Sequence, residues 1–486
     1  MMSQNTPQTV SDHYGLVIDG EEVESVSQAT FETVDPATED VIATVAAAQP
    51  DDVDAAVKSA REAVLDWKAT PPQDRGRLLS ELAGQIRAEQ KRLARIETLD
   101  NGKPLGHAKS DVEVCARYFE YYAGVADKVH GDSIPLTSEY ADYTIQEPLG
   151  VTAQIIPWNL PTNIFGRSVA PALATGNVAV VKPAEQTPLT AVEIGKLALD
   201  VGIPEGVLNV IPGFGGEAGA ALSGHSDVDG ISFTGSVPTG QEVMKTAADG
   251  VTEVHLELGG KSPNVVFPDA DMETALDSAI TGIFANAGQV CSAGSRLIVH
   301  EDIHDEFVDR LAKRARELSI GPGLDGNDIG PLVSEEQLSK VEQYLEIGLD
   351  EVGEPVTGGN ILSKDGYFVE PTIFDGVSNH MRIAQEEIFG PVLSVIPFSD
   401  EDEAIRLAND VDYGLVAGVF TENIGRAHRF ARDVRAGQIY INEWFAGGVE
   451  TPFGGFKQSG FGREKGLAAI ESYTQTKNVC VNIGQK

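Results

Sequence analysis

The chain has 486 residues, enough for roughly three domain-sized units and for more than one large core. With 74 acidic against 36 basic residues its formal net charge is -38, and such a surface repels nucleic acid and anionic membranes, both of which need a basic patch. Three scattered cysteines, Cys115, Cys291 and Cys480, contain no Cys-x-x-Cys pair, so neither a disulfide framework nor a zinc or other metal site is expected.

The opening MMSQNTPQTVSDHYG has no basic end followed by an apolar run, and no stretch of about 18 uninterrupted apolar residues occurs. Secretion and membrane spanning are disfavoured, and a reducing cytoplasm is the expected compartment. The acids are spread along otherwise ordinary α/β sequence. They predict solvated, acid-coated faces suited to a salt-rich, halophilic cytoplasm, where ions screen self-repulsion.

In chain order, Val53, Val57, Ala60 and Val64 have helical spacing, and Leu78, Leu79, Leu82 and Ile86 on to Ile96 predict a second helix ending at the turn DNGKP (100–104). After a further helical stretch around 112–126, short β-branched runs bounded by glycine or proline alternate with helices: GVTAQIIPW (150–158), NVAVVKP (177–183), VLNVIPG (207–213), GISFTGS (230–236) and VHLELGG (254–260). The alternation predicts a parallel, doubly wound sheet. It then restarts with a helix over 272–287, a strand at RLIVH (296–300), a helix over 305–318, and strands at PVLSVIPF (391–398), GLVAGVF (414–420) and GQIYIN (437–442). Two α/β domains fit this pattern, with a boundary near Gly259 and Gly260.

Several segments place reactive groups at strand ends. FTGSVPTG (233–240) runs from a strand into a glycine turn and a helix starting near Pro238, where backbone N–H groups could hold a pyrophosphate beside Gly235, Ser236 and Gly240. It is not G-x-G-x-x-G, and a plain tight turn is the alternative. In VVKPAEQTP the strand delivers Lys182 and Glu185 to its carboxyl end, where a carboxylate could accept both hydroxyls of an adenosine ribose and repel a 2′-phosphate. A solvated Lys and Glu on a loop is the alternative.

NAGQVCSAG (286–294) surrounds Cys291 with small residues that let a substrate and backbone N–H groups crowd the sulfur, although a lone cysteine can equally be an inert small hydrophobe. A nucleophilic thiolate needs an oxyanion donor and a base. PWNLP (157–161) offers the amide of Asn159 after a strand, and ELGGKSP (257–263) offers the carboxylate of Glu257 before paired glycines.

PWNLP, KPAE, FTGS, ELGGKS, GQVCS, EEIFGP and PFGGFKQSGFGRE occur in the order seen in the aldehyde dehydrogenase superfamily, and over about 31–481 the chain resembles its NAD(P)-dependent, hydrolytic members. The resemblance implies a Rossmann-like NAD-binding domain (1–127 and 150–259), a catalytic domain (260–466), and a small β oligomerisation arm (128–149 and 467–486) that joins a homodimer or homotetramer. It further implies oxidation of an aldehyde to the acid, with Cys291 as nucleophile, Glu257 as general base and Asn159 as the side-chain half of an oxyanion hole. Trp158, Lys182, Glu185, Gly235 and Ser236 fall at cofactor-binding positions, as do Glu387 and Phe389 of EEIFGP at the nicotinamide end. NAD is the expected cofactor because Glu185 opposes a 2′-phosphate, with NADP also possible.

Where the sequence departs from the family, the substrate end is affected. Leu160 stands for the usual phenylalanine, and TNIFGRS places Arg167 and Ser168 near the aldehyde channel. A guanidinium there could grip a carboxylate or hydroxyl, favouring a polar aldehyde, and an arginine at this place resembles semialdehyde, hydroxyaldehyde and aromatic-aldehyde members of the family; pairing with a local acid is the alternative. Trp444, Phe445 and Phe453 of NEWFAGGVETPFGG (442–455) are candidate pocket walls. Ala285 replaces an arginine seen in some succinic semialdehyde enzymes. A catalytically silent scaffold protein and a cofactor-independent thiol esterase are the readings from other classes.

Overall fold

The computed structural model describes residues 10–484; residues 1–9 and 485–486, the outer ends of the first domain and of the arm as read from sequence, lie outside the described residues. Two large sheets organise the chain. In the first, strands run in the order Gly460–Phe461, Glu253–Glu257, Gly230–Thr234, Val151–Ile156, Val178–Pro183, Leu208–Val210, Leu16–Ile18 and Glu21–Val23. The five from Glu253–Glu257 to Leu208–Val210 are mutually parallel, and antiparallel pairing closes both ends. Val151–Ile156 and Val178–Pro183 are buried at every position, as central parallel strands covered on both faces must be.

The strand order reverses at Val151–Ile156: the chain first builds outward through Val178–Pro183 and Leu208–Val210, then returns to the other side with Gly230–Thr234 and Glu253–Glu257. Such a reversal opens a crevice at the carboxyl ends of the two flanking strands, here beside Trp158 and Gly235.

The second sheet is parallel throughout, in the order Thr372–Phe374, Val392–Phe398, Arg296–His300, Pro263–Val266, Val416–Phe420 and Gln438–Ile441. The chain passes from one sheet to the other between Glu257 and Pro263, through Gly259 and Gly260, and the late strand Gly460–Phe461 returns to pair with Leu256 and Glu257. Ser133–Ile134, Tyr140–Pro148 and Thr474–Asn482 form a separate antiparallel sheet, whose long strands pair continuously from Thr474↔Pro148 to Asn482↔Tyr140.

Three differences from the sequence reading have local causes. The apolar run over 78–96 is two helices, Pro72–Ala88 and Gln90–Asn101, broken at Glu89; Ile86 and Leu93 lie seven residues apart, so the periodicity keeps its phase across the break. The helix expected over 272–287 stops at Phe284 because Asn286 and Ala287 have left-handed φ values of 50° and 53°. Strands His13–Tyr14, Thr30–Val34 and Val41–Ala46, and Pro263–Val266 after the paired glycines, are short or polar enough to have escaped notice.

The turn DNGKP is wholly structural. Asp100 accepts hydrogen bonds from Thr33 Oγ1 (2.7 Å) and Leu189 N (3.0 Å), Asn101 Nδ2 donates to the Trp158 carbonyl (2.8 Å), and Gly102 caps the helix at φ 88°. Lys103 is fully buried with its Nζ 2.6 Å from Glu97 and 2.7 Å from Asp111. One ammonium thus ties acids of two successive helices together, the first of which ends at the Asn101 that holds the Trp158 carbonyl. Lys103→Met strands two buried acids, a change that typically costs about 3–5 kcal/mol. Thermal unfolding followed by circular dichroism should show a clearly lowered midpoint; an unchanged one would mean that the triad is dispensable.

Candidate active site

The carboxyl ends of the first sheet carry the expected cofactor-side residues. Lys182 ends Val178–Pro183, is itself buried, and places Nζ 3.1 Å from Glu185; burial lowers its affinity for a proton. Trp158, whose carbonyl is held by Asn101 and Thr187, meets the Phe389 ring edge-on at 5.2 Å. Phe389 itself takes a left-handed φ of 61°, fixed by Gln337 Nε2 donating to its carbonyl at 2.7 Å.

Gly235 and Ser236 stand at the turn, but the space beside the glycines is already filled. A Cβ at Gly235 would stand 2.5 Å from the Phe233 ring, and one at Gly240 would stand 2.7 Å from Leu258. The missing side chains at these two glycines are thus required by packing within the protein. Ser236 caps the helix Val237–Ala248 through its Oγ, which accepts from Thr239 N at 3.3 Å.

Glu257 is the last residue of its strand, buried, with no hydrogen-bond partner for either carboxylate oxygen. Burial raises its pKa well above the ordinary carboxylate range, and the neighbouring Glu464 raises it further. Two residues on, the paired glycines bring three strands of chain together. A Cβ at Gly259 would collide with the Glu387 carboxylate, and one at Gly260 would lie 2.6 Å from the Cys291 carbonyl oxygen. Gly260 N donates to Glu387 Oε1 at 2.9 Å. Ser459 Oγ completes the clamp by donating to the Gly259 carbonyl at 2.7 Å.

The cysteine loop is fixed by amides. Asn159 Nδ2 donates to the Gln289 carbonyl (2.9 Å), Asn286 Nδ2 donates to the Asn159 carbonyl (3.1 Å), and Gln289 Oε1 accepts from Val333 N (3.0 Å). An amide nitrogen carries two hydrogens, so Asn159 keeps one for a ligand while the other fixes its plane. Cys291 is partly buried against Leu415, Val416, Tyr440, Trp444 and Phe453. Burial, and next the Glu257 carboxylate, push its thiol up to about 12.

On the substrate side, Arg167 is buried with Nε 2.5 Å from Glu464 Oε2 and its guanidinium 5.4 Å from the centre of the Phe453 ring. Burial opposes its charge, but Glu464 and Glu257 outweigh that and hold it protonated. The local ion pair is thus the arrangement adopted, in place of a guanidinium left free for a substrate. The physical reason is that a carboxylate as deeply buried as Glu464 needs a counter-cation.

Trp444 is wedged among glycines. Only 4% exposed, its indole lies in a slot of glycines, where a Cβ at Gly418, Gly294 or Gly282 would stand 2.5, 3.1 or 3.2 Å away. It packs in one cluster with Tyr440 and Phe453, against which Cys291 and Phe445 lie.

Sequence reasoning assigned no role to Glu464, Lys465, Ser459, Gln289 or His255. All lie within or beside the quoted segments. An acid between two bases in the glycine-rich segment SGFGREKG was the visible clue. His255, on the same face of the strand as Glu257, is buried with both ring nitrogens unpartnered, and burial favours its neutral form.

Taken together, a thiol, a carboxylate and a side-chain amide converge where the carboxyl end of one sheet meets the amino end of the other, with a Lys–Glu pair and two edge-on aromatic rings in the adjoining crevice. Residues 23–479 match the model of the aldehyde dehydrogenase family. A mitochondrial aldehyde dehydrogenase from Leishmania tarentolae is 47% identical over 467 residues, covering 96% of this chain and 94% of the relative. A hydroxyisobutyraldehyde dehydrogenase from Mycolicibacterium austroafricanum is 45% identical over 471 residues, covering 96% and 94%. The NAD+ complex of an aldehyde dehydrogenase from Bacillus cereus superposes with a TM-score of 0.96 at 45% identity, covering 97% of each chain. The chain belongs to the aldehyde dehydrogenase family.

Proposed function

We propose that this chain oxidises a polar aldehyde to its carboxylic acid, with Cys291 as nucleophile, Asn159 as oxyanion donor, Glu257 as the base for hydrolysis, and NAD as hydride acceptor. One juxtaposition carries the reading: Cys291, Glu257 and Glu387 meet across Gly259 and Gly260, with the Asn159 amide held by the loop that bears the cysteine.

Lys182 and Glu185 are suited to an adenine-side ribose, Glu387 to the second ribose, and the Trp158–Phe389 pair to the nicotinamide end. When bound, NAD supplies a hydride acceptor and a cationic ring. Glu185 sets the preference against a 2′-phosphate, although NADP use is compatible with the same loop.

The sulfur of the thiolate bonds to the aldehyde carbon, and the electron pair of the carbonyl moves to oxygen. Asn159 and the Cys291 backbone N–H stabilise that alkoxide, each donor typically worth about 2.7–4 kcal/mol. Loss of hydride leaves a thioester on Cys291. Water then adds while Glu257 takes its proton, and the carbon–sulfur bond breaks to release the acid.

The exposed side chains of the arm sheet, among them Tyr140, Tyr143, Ile145 and Ile483, suit it to joining copies of the chain in a homodimer or homotetramer. None of the described helices is long and apolar enough to cross a membrane. The charge of -38 supports a halophilic cytoplasmic setting.

Cys291→Ala should abolish NADH formation with every aldehyde, and retained activity would revive the silent-scaffold reading. Glu257→Gln should leave a rapid single turnover of NADH while slowing steady turnover about 10²–10⁴-fold, because only the hydrolytic half needs the base. Loss of the rapid phase as well would move Glu257 to the earlier step.

With the thiol pushed up to about 12, its reactive thiolate fraction at neutral pH is small and grows with pH. Alkylation of the Cys291 peptide by iodoacetamide, followed by mass spectrometry, should rise about tenfold per pH unit and still be climbing at pH 10. Glu257→Gln removes a repelling carboxylate and should shift that profile to lower pH. A plateau near pH 7 in the parent protein would contradict the assigned electrostatics.

A further inference from the structure

We infer that Lys465 is a specificity-determining residue of the aldehyde pocket, its ammonium receiving an anionic group carried by the substrate at the end remote from the aldehyde. The inference deepens the proposed function and rests on it.

Phe453 connects the two ends of the pocket. Its ring packs in the cluster around Cys291, while the Lys465 ammonium lies 5.5 Å and the Arg167 guanidinium 5.4 Å from its centre. Backbone hydrogen bonds of 2.7 Å in each direction between Phe453 and Glu464 hold the ring and the neighbouring lysine in fixed relation. The two cations differ in one respect. Arg167 has Glu464 in ion contact, whereas the Lys465 ammonium lies against the aromatic face and forms no ion pair among the described residues.

The acids that could neutralise Lys465 are engaged elsewhere. Glu464 lies against Arg167, and Glu450 is 2.8 Å from Arg117 Nη2. Glu257 is buried and holds its proton more tightly than an ordinary carboxylate. Burial, and next the repulsion of Arg167, lower the Lys465 pKa to about 8, with Glu464, Glu257 and Glu450 acting in the opposite sense. An unpaired ammonium beside a second cation is stabilised by an anion brought from outside.

The backbone carries a further mark. Lys465 has a φ of 63°, a left-handed conformation uncommon outside glycine, asparagine and aspartate. The remaining walls, Phe445, Leu415 and Tyr440, offer no charge. The substrate class that fits is a short aldehyde ending in a carboxylate.

The test compares 4-oxobutanoate with pentanal, a neutral aldehyde of similar length, in NAD-dependent steady-state assays. The parent enzyme should favour 4-oxobutanoate in kcat/KM. Lys465→Met should lower the ratio of the two kcat/KM values at least tenfold, chiefly through KM for 4-oxobutanoate, and Lys465→Arg should restore most of it. Lys465→Asn, which tolerates left-handed backbone, gives the same comparison if the methionine variant folds poorly.

The ratio should also fall between pH 7 and 9.5 in the parent, as the ammonium loses its proton, and stay level in Lys465→Arg. A ratio unaffected by Lys465→Met and Lys465→Asn would overturn the inference and leave Lys465 as a cap on Phe453. Oxidation of pentanal alongside such a result preserves the aldehyde-oxidising reading. Failure to oxidise either aldehyde would instead remove that reading itself.

Discussion

The absence of side chains at residues 259 and 260 is the constraint on which the rest of the site depends. Neither glycine has a left-handed φ; what each provides is room. At 259 the room is taken by the Glu387 carboxylate and at 260 by the Cys291 carbonyl oxygen, so one dipeptide sets the distance between Glu387, the Cys291 loop and the strand bearing Glu257. Alanine at 260 would meet backbone, which cannot swing away as a flexible side-chain end can. Because the same dipeptide joins the last parallel strand of one sheet to the central strand of the next, the path between the sheets and the convergence of reactive groups have one cause.

Around this crossing the protein keeps groups in states that water would not favour. Glu257 is buried with both oxygens unpartnered, and burying an unpaired carboxylate costs several kcal/mol unless it takes up a proton. Of the Arg167–Glu464 pair beside it, the carboxylate pushes that equilibrium further toward the protonated form and the guanidinium opposes it. Asn286 and Ala287 hold left-handed backbone at roughly 1–3 kcal/mol each, maintained by the hydrogen bonds through Gln289 to Asn159 and Val333. The result is a thiol whose loop is rigid but whose reactivity is suppressed at rest by its surroundings, consistent with a nucleophile that gains reactivity when a cationic ring is bound beside it.

Much of the fold was legible because central parallel strands read as unbroken apolar runs; Val151–Ile156, Val178–Pro183 and Val392–Phe398 each stood out this way. The placement of candidate groups was legible where an apolar strand delivers a charged residue at its end, as with Glu257 and Lys182. What escaped was set by tertiary contact alone. Nothing local says that Ala287, a strong helix former, leaves the helix, or that Gly235 and Gly240 yield their space to Phe233 and Leu258. Arg167 could be read as a ligand for substrate only because its partner, Glu464, lies almost three hundred positions later in the chain. The slot that holds Trp444 was hidden because the three glycines that form it cannot be assembled from a linear sequence.

The surface and the pocket carry opposite electrostatic characters, and salt decides which one a ligand feels. A net charge of -38 repels an approaching anion at long range in dilute solution, where the Debye length is about 30 Å at 0.01 M. At 1 M it shrinks to about 3 Å, so the acidic coat is screened within one layer of water. An ammonium half-buried against an aromatic face is screened much less, because ions do not enter the contact. High salt therefore removes the barrier to entry while weakening the final contact only in part. An acid-coated protein that offers an ammonium to an anionic ligand would therefore bind that ligand against less long-range repulsion in concentrated salt than in dilute buffer.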